Sequence, residues 1–243
     1  MKDIKKLSAY TLQIIAVVAM FIDHTAHIIV NMSFPGSVHT AVVMNCIGRI
    51  TMPIMCFFVA EGYHKTSNLQ KYMLRLLTFT IISQIPYYLF GISSMPQDFW
   101  AFVKGNIHRM NVGVTLLMGL VALTAVKSEK LNVITKIAVA AAATYLTRFS
   151  DWRYYGVLWI LVFGLFRDDF AKQTVFFILI AAIRCWRYYS SPLGLIINSC
   201  VILALPLLFL YSGEKGKKPK YGFYIFYPAH LLVYGIIIML MNT

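Results

Sequence analysis

Six ionisable side chains lie inside stretches that are otherwise apolar: Asp23, His24 and His27 in residues 8–30, Arg49 and Glu61 in 40–63, and His230 in 222–241. A charged side chain at the middle of a bilayer costs at least about 2.5–3.5 kcal/mol on insertion scales, so each of these needs a partner or a task. Asp23 and His27 are one helical turn apart and share a face. His24 is turned about 100° from Asp23 by the helical repeat. Counted inward along helices that advance about 1.5 Å per residue, Asp23, His24 and Arg49 come to similar depth. A carboxylate, an imidazole and a guanidinium at one level of an apolar bundle can move a proton and stabilise a developing negative charge. The same residues also suit a structural Asp23–Arg49 salt bridge beside a hydrogen-bonded histidine, and both readings stand at this point. His230 follows Tyr227-Pro228-Ala229, where the proline frees a carbonyl one turn earlier and can kink the helix. Glu61, just before Gly62 and Tyr63, can snorkel or pair with Lys65 four residues on.

The elements that hold these groups follow from composition. The chain has 243 residues, 59% of them hydrophobic and 13% charged, with a mean hydropathy of +0.70. Soluble domains carry about 25% charged residues, so this chain has too few charges to cover a water-facing surface. At about 20 residues per crossing, the length is used up by spanning helices, which leaves no room for a Rossmann or P-loop domain. Apolar runs between breakers predict nine helices, at 8–30, 40–63, 72–92, 110–126, 132–147, 154–166, 174–189, 193–211 and 222–241. The expected fold is an all-α polytopic membrane helix bundle, a single integral membrane domain over residues 1–243. The start, MKDIKKLSAY, reads as the basic flank of the first helix, with no small-residue cleavage site after it.

The net charge of +13 comes from 22 Lys and Arg against 9 Asp and Glu. With the amino terminus cytoplasmic, the inner segments hold Lys2, Lys5, Lys6, Lys65, Lys71, Arg75, Lys127, Lys130, Lys136, Arg167, Lys172, Lys215, Lys217, Lys218 and Lys220. The outer segments hold only Lys104, Arg109, Arg148, Arg153, Arg184 and Arg187, and Arg49 lies within a span. This asymmetry obeys the positive-inside rule and puts the carboxyl terminus outside. The basic excess therefore reads as topology and lipid contact, and no nucleic-acid partner is expected. Cys46, Cys56, Cys185 and Cys200 all lie in or beside apolar runs and read as small hydrophobes. No spacing suggests a metal site. The echo Trp152-Arg153-Tyr154-Tyr155 and Trp186-Arg187-Tyr188-Tyr189 reads either as an interfacial aromatic belt or, with Arg148 and Arg184, as a basic rim that receives an acceptor.

Several fragments, in order, resemble the TraX family of membrane proteins, named for acetylation of conjugative pilin. They are Phe21-Ile22-Asp23-His24, Gly48-Arg49-Ile50-Thr51-Met52-Pro53, Ala60-Glu61-Gly62-Tyr63, Lys71-Tyr72-Met73-Leu74-Arg75, Ser83-Gln84-Ile85-Pro86, Asn111-Val112-Gly113-Val114-Thr115, Tyr155-Gly156-Val157-Leu158 and Tyr227-Pro228-Ala229-His230. Two departures stand out: Gln84 occupies a position where the family often has Glu, and the family more usually has glycine near the His24 and His27 pair. The first two helices are also distantly similar to transmembrane acyltransferases such as heparan-α-glucosaminide acetyltransferase, in which a first-helix histidine serves catalysis.

The resemblance implies an acetyl-CoA-dependent acyltransferase of the bacterial plasma (inner) membrane, with N-acetylation favoured over O-acetylation. His24, supported by Asp23, would be the general base, Arg49 the oxyanion partner and His230 a second acid-base group. Lys65, Lys71, Arg75, Lys217, Lys218 and Lys220, with Glu61 at the same end, would meet the cofactor. Arg148, Arg153, Arg184 and Arg187 would meet a peptide, pilin or glycan acceptor, with membrane lipids around the bundle. The alternative is a proton-coupled transporter or a lipid or glycan flippase in which Asp23, Arg49, Glu61 and His230 form a relay. An assembly factor without chemistry is the third reading.

Overall fold

The computed structural model describes residues 6–31, 36–92, 99–216 and 222–241. Lys2, Lys5, Lys217, Lys218 and Lys220 lie outside them. Among the described residues twelve α-helices follow one another: α1 (Ala9–Asn31), α2 (Ser37–Gly48), α3 (Thr51–Lys65), α4 (Leu69–Ile92), α5 (Phe99–Asn106), α6 (Val112–Lys127), α7 (Val133–Leu146), α8 (Arg153–Leu165), α9 (Phe170–Trp186), α10 (Pro192–Ser199), α11 (Ala204–Phe209) and α12 (Gly222–Met241). Five segments of the described residues are long and apolar enough to cross a membrane: Ala9–Ile28, Ser37–Lys65, Leu69–Gly91, Pro192–Phe209 and Gly222–Leu240. Val112–Lys127 and Arg153–Leu165 are apolar but shorter.

Polar residues at the joints start the helices, where the first amides have no partner inside the helix. The side chains of Asn111, Asn132, Asp169 and Ser191 accept hydrogen bonds from the amides of Gly113, Thr135, Lys172 and Gly194. Prolines interrupt two of the crossing segments. A proline lacks the amide and its ring crowds the carbonyl four residues back. Pro53 therefore acts at Arg49, where α2 ends and a two-residue turn leads into α3. Pro206 acts at Ile202, inside the tight 3-10 turn Cys200–Leu203 that separates α10 from α11.

The chain divides into two compact units, residues 1–61 with 158–220, and residues 62–157 with 221–243. In the first, α1 packs on α2, and α10 packs on both α2 and α9. Small residues on α1, Ala16, Ala19 and Ala26, are fully covered and let the neighbouring backbone approach. Lower in the unit, Phe57 meets Phe163 and Tyr211 edge to face, and Trp159 stacks on Phe177 at 5.0 Å between ring centres. The start of α1 is strapped to the segment after α11: the Leu7 amide donates to the Leu210 carbonyl at 3.0 Å and the Ala9 amide to the Glu214 carbonyl at 2.8 Å.

In the second unit α4 packs on α12 and α6, and α6 on α7. A buried amide network locks α4 to the turn before α6. Asn111 donates through Nδ2 to the Thr80 carbonyl at 2.8 Å and to Gln84 Oε1 at 2.7 Å, while Gln84 Nε2 donates to the Arg109 carbonyl at 2.9 Å. Thr115 and Ser150 hydroxyls meet at 2.6 Å.

Candidate functional site

The first unit carries a partly buried ion pair at the interruption between α2 and α3. Arg49 Nη2 donates to Asp23 Oδ1 at 2.9 Å, and the two side chains are only 19% and 16% exposed. The position of Arg49 follows from the turn that Pro53 imposes, because it ends α2 while keeping α-helical dihedrals. Its Nε also reaches the Asn45 carbonyl at 3.4 Å. Two features bring α1 close enough for the pair to form. Thr51 Oγ1 donates to the Ala16 carbonyl at 3.0 Å, tying the start of α3 to α1. Gly48 lies directly against Asp23, so that a Cβ at position 48 would overlap the aspartate Cβ, Cγ and Oδ1. His24 is half-buried next to Asp23 on α1. Carboxylate and guanidinium thus meet between α1 and the end of α2, at a place where the backbone of α2 and α3 is not continuously helical, and His24 is the next residue in the chain after Asp23.

At the other end of α3, Glu61 is buried and accepts from Arg167 Nε at 2.9 Å. Tyr211 OH lies 3.5 Å from its second oxygen. The Glu61 hydrogen bond holds the Arg167 guanidinium above its ordinary pKa. Glu61, expected at the cofactor end of the bundle and in reach of Lys65, thus has Arg167 and Tyr211 as partners, which no spacing in the sequence suggests. Arg184 is 8% exposed near the end of α9, and Arg187 is exposed just after it.

The second unit holds the remaining expected residues. His230 is 6% exposed on α12. Its Nδ1 lies 2.8 Å from the Phe226 carbonyl, which makes Nδ1 the protonated nitrogen and Nε2 the basic one, and its ring stacks on Phe226 at 4.7 Å. Lys65, Lys71 and Arg75 are exposed, and Arg75 lies 5.9 Å from the Tyr72 ring centre. Arg148 lies over the rings of Tyr145 and Phe149 at 3.8 and 4.4 Å. Arg153 adopts φ of 49°, a left-handed conformation that is strained for a residue with a side chain. Among the described residues, no group of three or more His, Cys, Asp or Glu side chains is placed to hold a metal ion.

Apolar helices long enough to cross a bilayer, with a partly buried ion pair where one of them is interrupted, define a multi-pass membrane protein. The chain belongs to the TraX family: the family described as TraX protein matches residues 8–238. It is similar to the probable fimbrial assembly protein FimC, serogroup H1, of Dichelobacter nodosus, with 33% identity over 234 residues that cover 92% of this chain and 93% of the relative. No solved structure matches it.

Proposed function

We propose that the protein is a transmembrane acetyltransferase that moves an acetyl group from cytoplasmic acetyl-CoA to an amine presented at the outer face of the bacterial inner membrane. The amine belongs to a pilin-type peptide or an amino sugar, in keeping with the fimbrial assembly role in the relative's name. In this reading the chain crosses nine times, counting α2 with α3 and α10 with α11 as single interrupted crossings and leaving the eight-residue α5 out of the membrane, with the amino terminus inside and the carboxyl terminus outside. The observation that carries the proposal is the Asp23–Arg49 pair, with His24 next to Asp23 in the sequence, built where α2 gives way to α3.

Each group has a task there. His24 takes the proton from the attacking amine, which becomes nucleophilic only as it loses that proton. Asp23 supports the imidazolium that forms. Arg49, held by Asp23, supplies positive charge to the oxyanion that develops on the thioester carbonyl. Lys65, Lys71, Arg75 and the lysines at 217, 218 and 220 are proposed to meet the CoA phosphates, for which ammonium and guanidinium groups are suited. His230, with its basic nitrogen set by the Phe226 carbonyl, is a second acid-base candidate, and Arg148, Arg153, Arg184 and Arg187 are proposed acceptor contacts.

The test is transfer of labelled acetyl groups by detergent-purified protein. His24→Ala is expected to stay folded and to lose about 10²–10⁴-fold in rate, the usual contribution of a positioned acid-base group. Full activity in that variant removes His24 from the mechanism. Proton-coupled flux in vesicles, with no binding of acetyl-CoA, would assign the same buried groups to transport instead.

A further inference from the structure

Two of the four cysteines, Cys46 and Cys200, come together in the first unit beside the residue that ends α2, Arg49. Cys46 lies three residues before Arg49 and on the same face of α2. The 3-10 turn that interrupts α10 and α11 begins at Cys200 and packs against α2 and α9. Cys200 comes within hydrogen-bonding reach of Cys46, and Arg49 and Cys185 are near enough to act on it electrostatically. Its Sγ also lies 3.3 Å from the Ile196 carbonyl, so its single thiol hydrogen has two acceptors, that carbonyl and the Cys46 sulfur. Cys46 and Cys200 are both partly accessible, whereas Cys56 is fully buried. Two crossing segments are therefore interrupted at the place where their thiols meet, and a guanidinium stands one turn away.

We propose that Cys46 is an acyl-accepting nucleophile, with Cys200 as its hydrogen-bonding partner, so that transfer proceeds through an S-acetyl-cysteine inside the membrane. The proposal rests on the acetyl-transfer reading above and deepens it. In the first half-reaction the Cys46 sulfur attacks the thioester carbonyl of acetyl-CoA. A new C–S bond forms, the C–S bond to CoA breaks, and the thiol proton of Cys46 ends on the CoA sulfur. One thioester is exchanged for another, so no further reactant is needed. In the second half-reaction the acceptor amine attacks the S-acetyl carbonyl, the C–N bond forms, the C–S bond to Cys46 breaks, and the amine proton passes through His24 to the departing sulfur. Arg49 faces the oxyanion in both halves. The covalent stage lets a donor from one side and an acceptor from the other use a single buried centre in turn, which splits one hard step into two.

The experiment incubates purified full-length protein in detergent with acetyl-labelled acetyl-CoA, without acceptor. CoA release and label retained on the denatured chain are read together, followed by hydroxylamine treatment and peptide mapping. Wild type is expected to release CoA and to hold a hydroxylamine-labile acetyl group on the peptide containing Cys46. Cys46→Ala is expected to hold none and to lose transfer, and Cys200→Ala is expected to acquire label more slowly. Cys46→Ser, nearly isosteric, controls for folding, with monodispersity on gel filtration as the check. Transfer at the wild-type rate by the Cys46→Ala/Cys200→Ala double variant overturns the relay while leaving acetyl transfer standing. Wild-type transfer with no acetylated chain, or label mapped to another residue, also overturns it. If wild type neither releases CoA nor transfers acetyl, the acetyl-transfer reading itself fails.

Discussion

Removing one charge of the Asp23–Arg49 pair is expected to destabilise the protein more than removing both. The two side chains meet at 2.9 Å and are each less than one-fifth exposed, so each charge is largely withheld from bulk water when its partner is lost. Unit charges about 4 Å apart attract by about 4 kcal/mol at an effective permittivity of 20. Truncating one member of a buried pair costs about 3–5 kcal/mol, because the other charge stays buried and uncompensated. Residual exposure and the single hydrogen bond place Asp23→Asn and Arg49→Gln at the lower end, about 3 kcal/mol each. For a chain of this size that is a fall of about 6–12 °C in melting temperature. The double variant replaces two charges with two amides of similar shape, which can hydrogen-bond to one another, and is expected to melt near wild type. The coupling energy from the cycle is then several kcal/mol, well above the scatter of independent sites.

Activity separates the structural role of the pair from a chemical one. If Arg49 faces the reacting carbonyl, the stable double variant still lacks that charge and transfers about 10²–10³-fold more slowly, the usual loss on removing one oxyanion donor. The assay is thermal melting in detergent beside labelled acetyl transfer, on four proteins. Single variants that melt within error of wild type would refute the burial argument. A double variant with wild-type transfer would show that the pair serves the fold alone.

Gly48→Ala pushes a methyl group into the Asp23 side chain and is expected to lower the melting temperature and transfer together, at about 1–3 kcal/mol for an overfilled site. Gly105→Ala, where an added Cβ meets nothing within 4 Å, is the control and should do neither. Gln84→Ala removes two hydrogen bonds to Asn111 and one to the Arg109 carbonyl, and is expected to cost about 1–3 kcal/mol in thermal or denaturant melts.

The Asp23–Arg49 pair was readable in the sequence because membrane depth is a one-dimensional coordinate: counting residues from a helix end ranks every intramembrane charge, and two opposite charges at one level on successive helices have few other partners. The same count fails for Glu61, whose partner lies 106 residues away in the chain and in a joint rather than a span. It also fails for the thiols. Cys46 and Cys200 carry no charge that demands a partner, so nothing in hydropathy or spacing ties position 46 to position 200. Their meeting depends on where two prolines, Pro53 and Pro206, interrupt two crossings, and on α10 packing against α2. Gln84 illustrates a third case. Its amide donates to one backbone carbonyl while accepting from Asn111, which an ionised glutamate cannot do. A position where the family often has an acid therefore serves in this chain as a two-way hydrogen-bonding clamp on the turn before α6. The interruptions link these observations. A continuous helix bonds each amide to the carbonyl four residues back, whereas at these interruptions the ladder tightens to three, the Ile50 amide donating to the Ile47 carbonyl and the Cys200 amide to the Ile197 carbonyl. The ion pair stands at the first of these turns, and Cys200 begins the second.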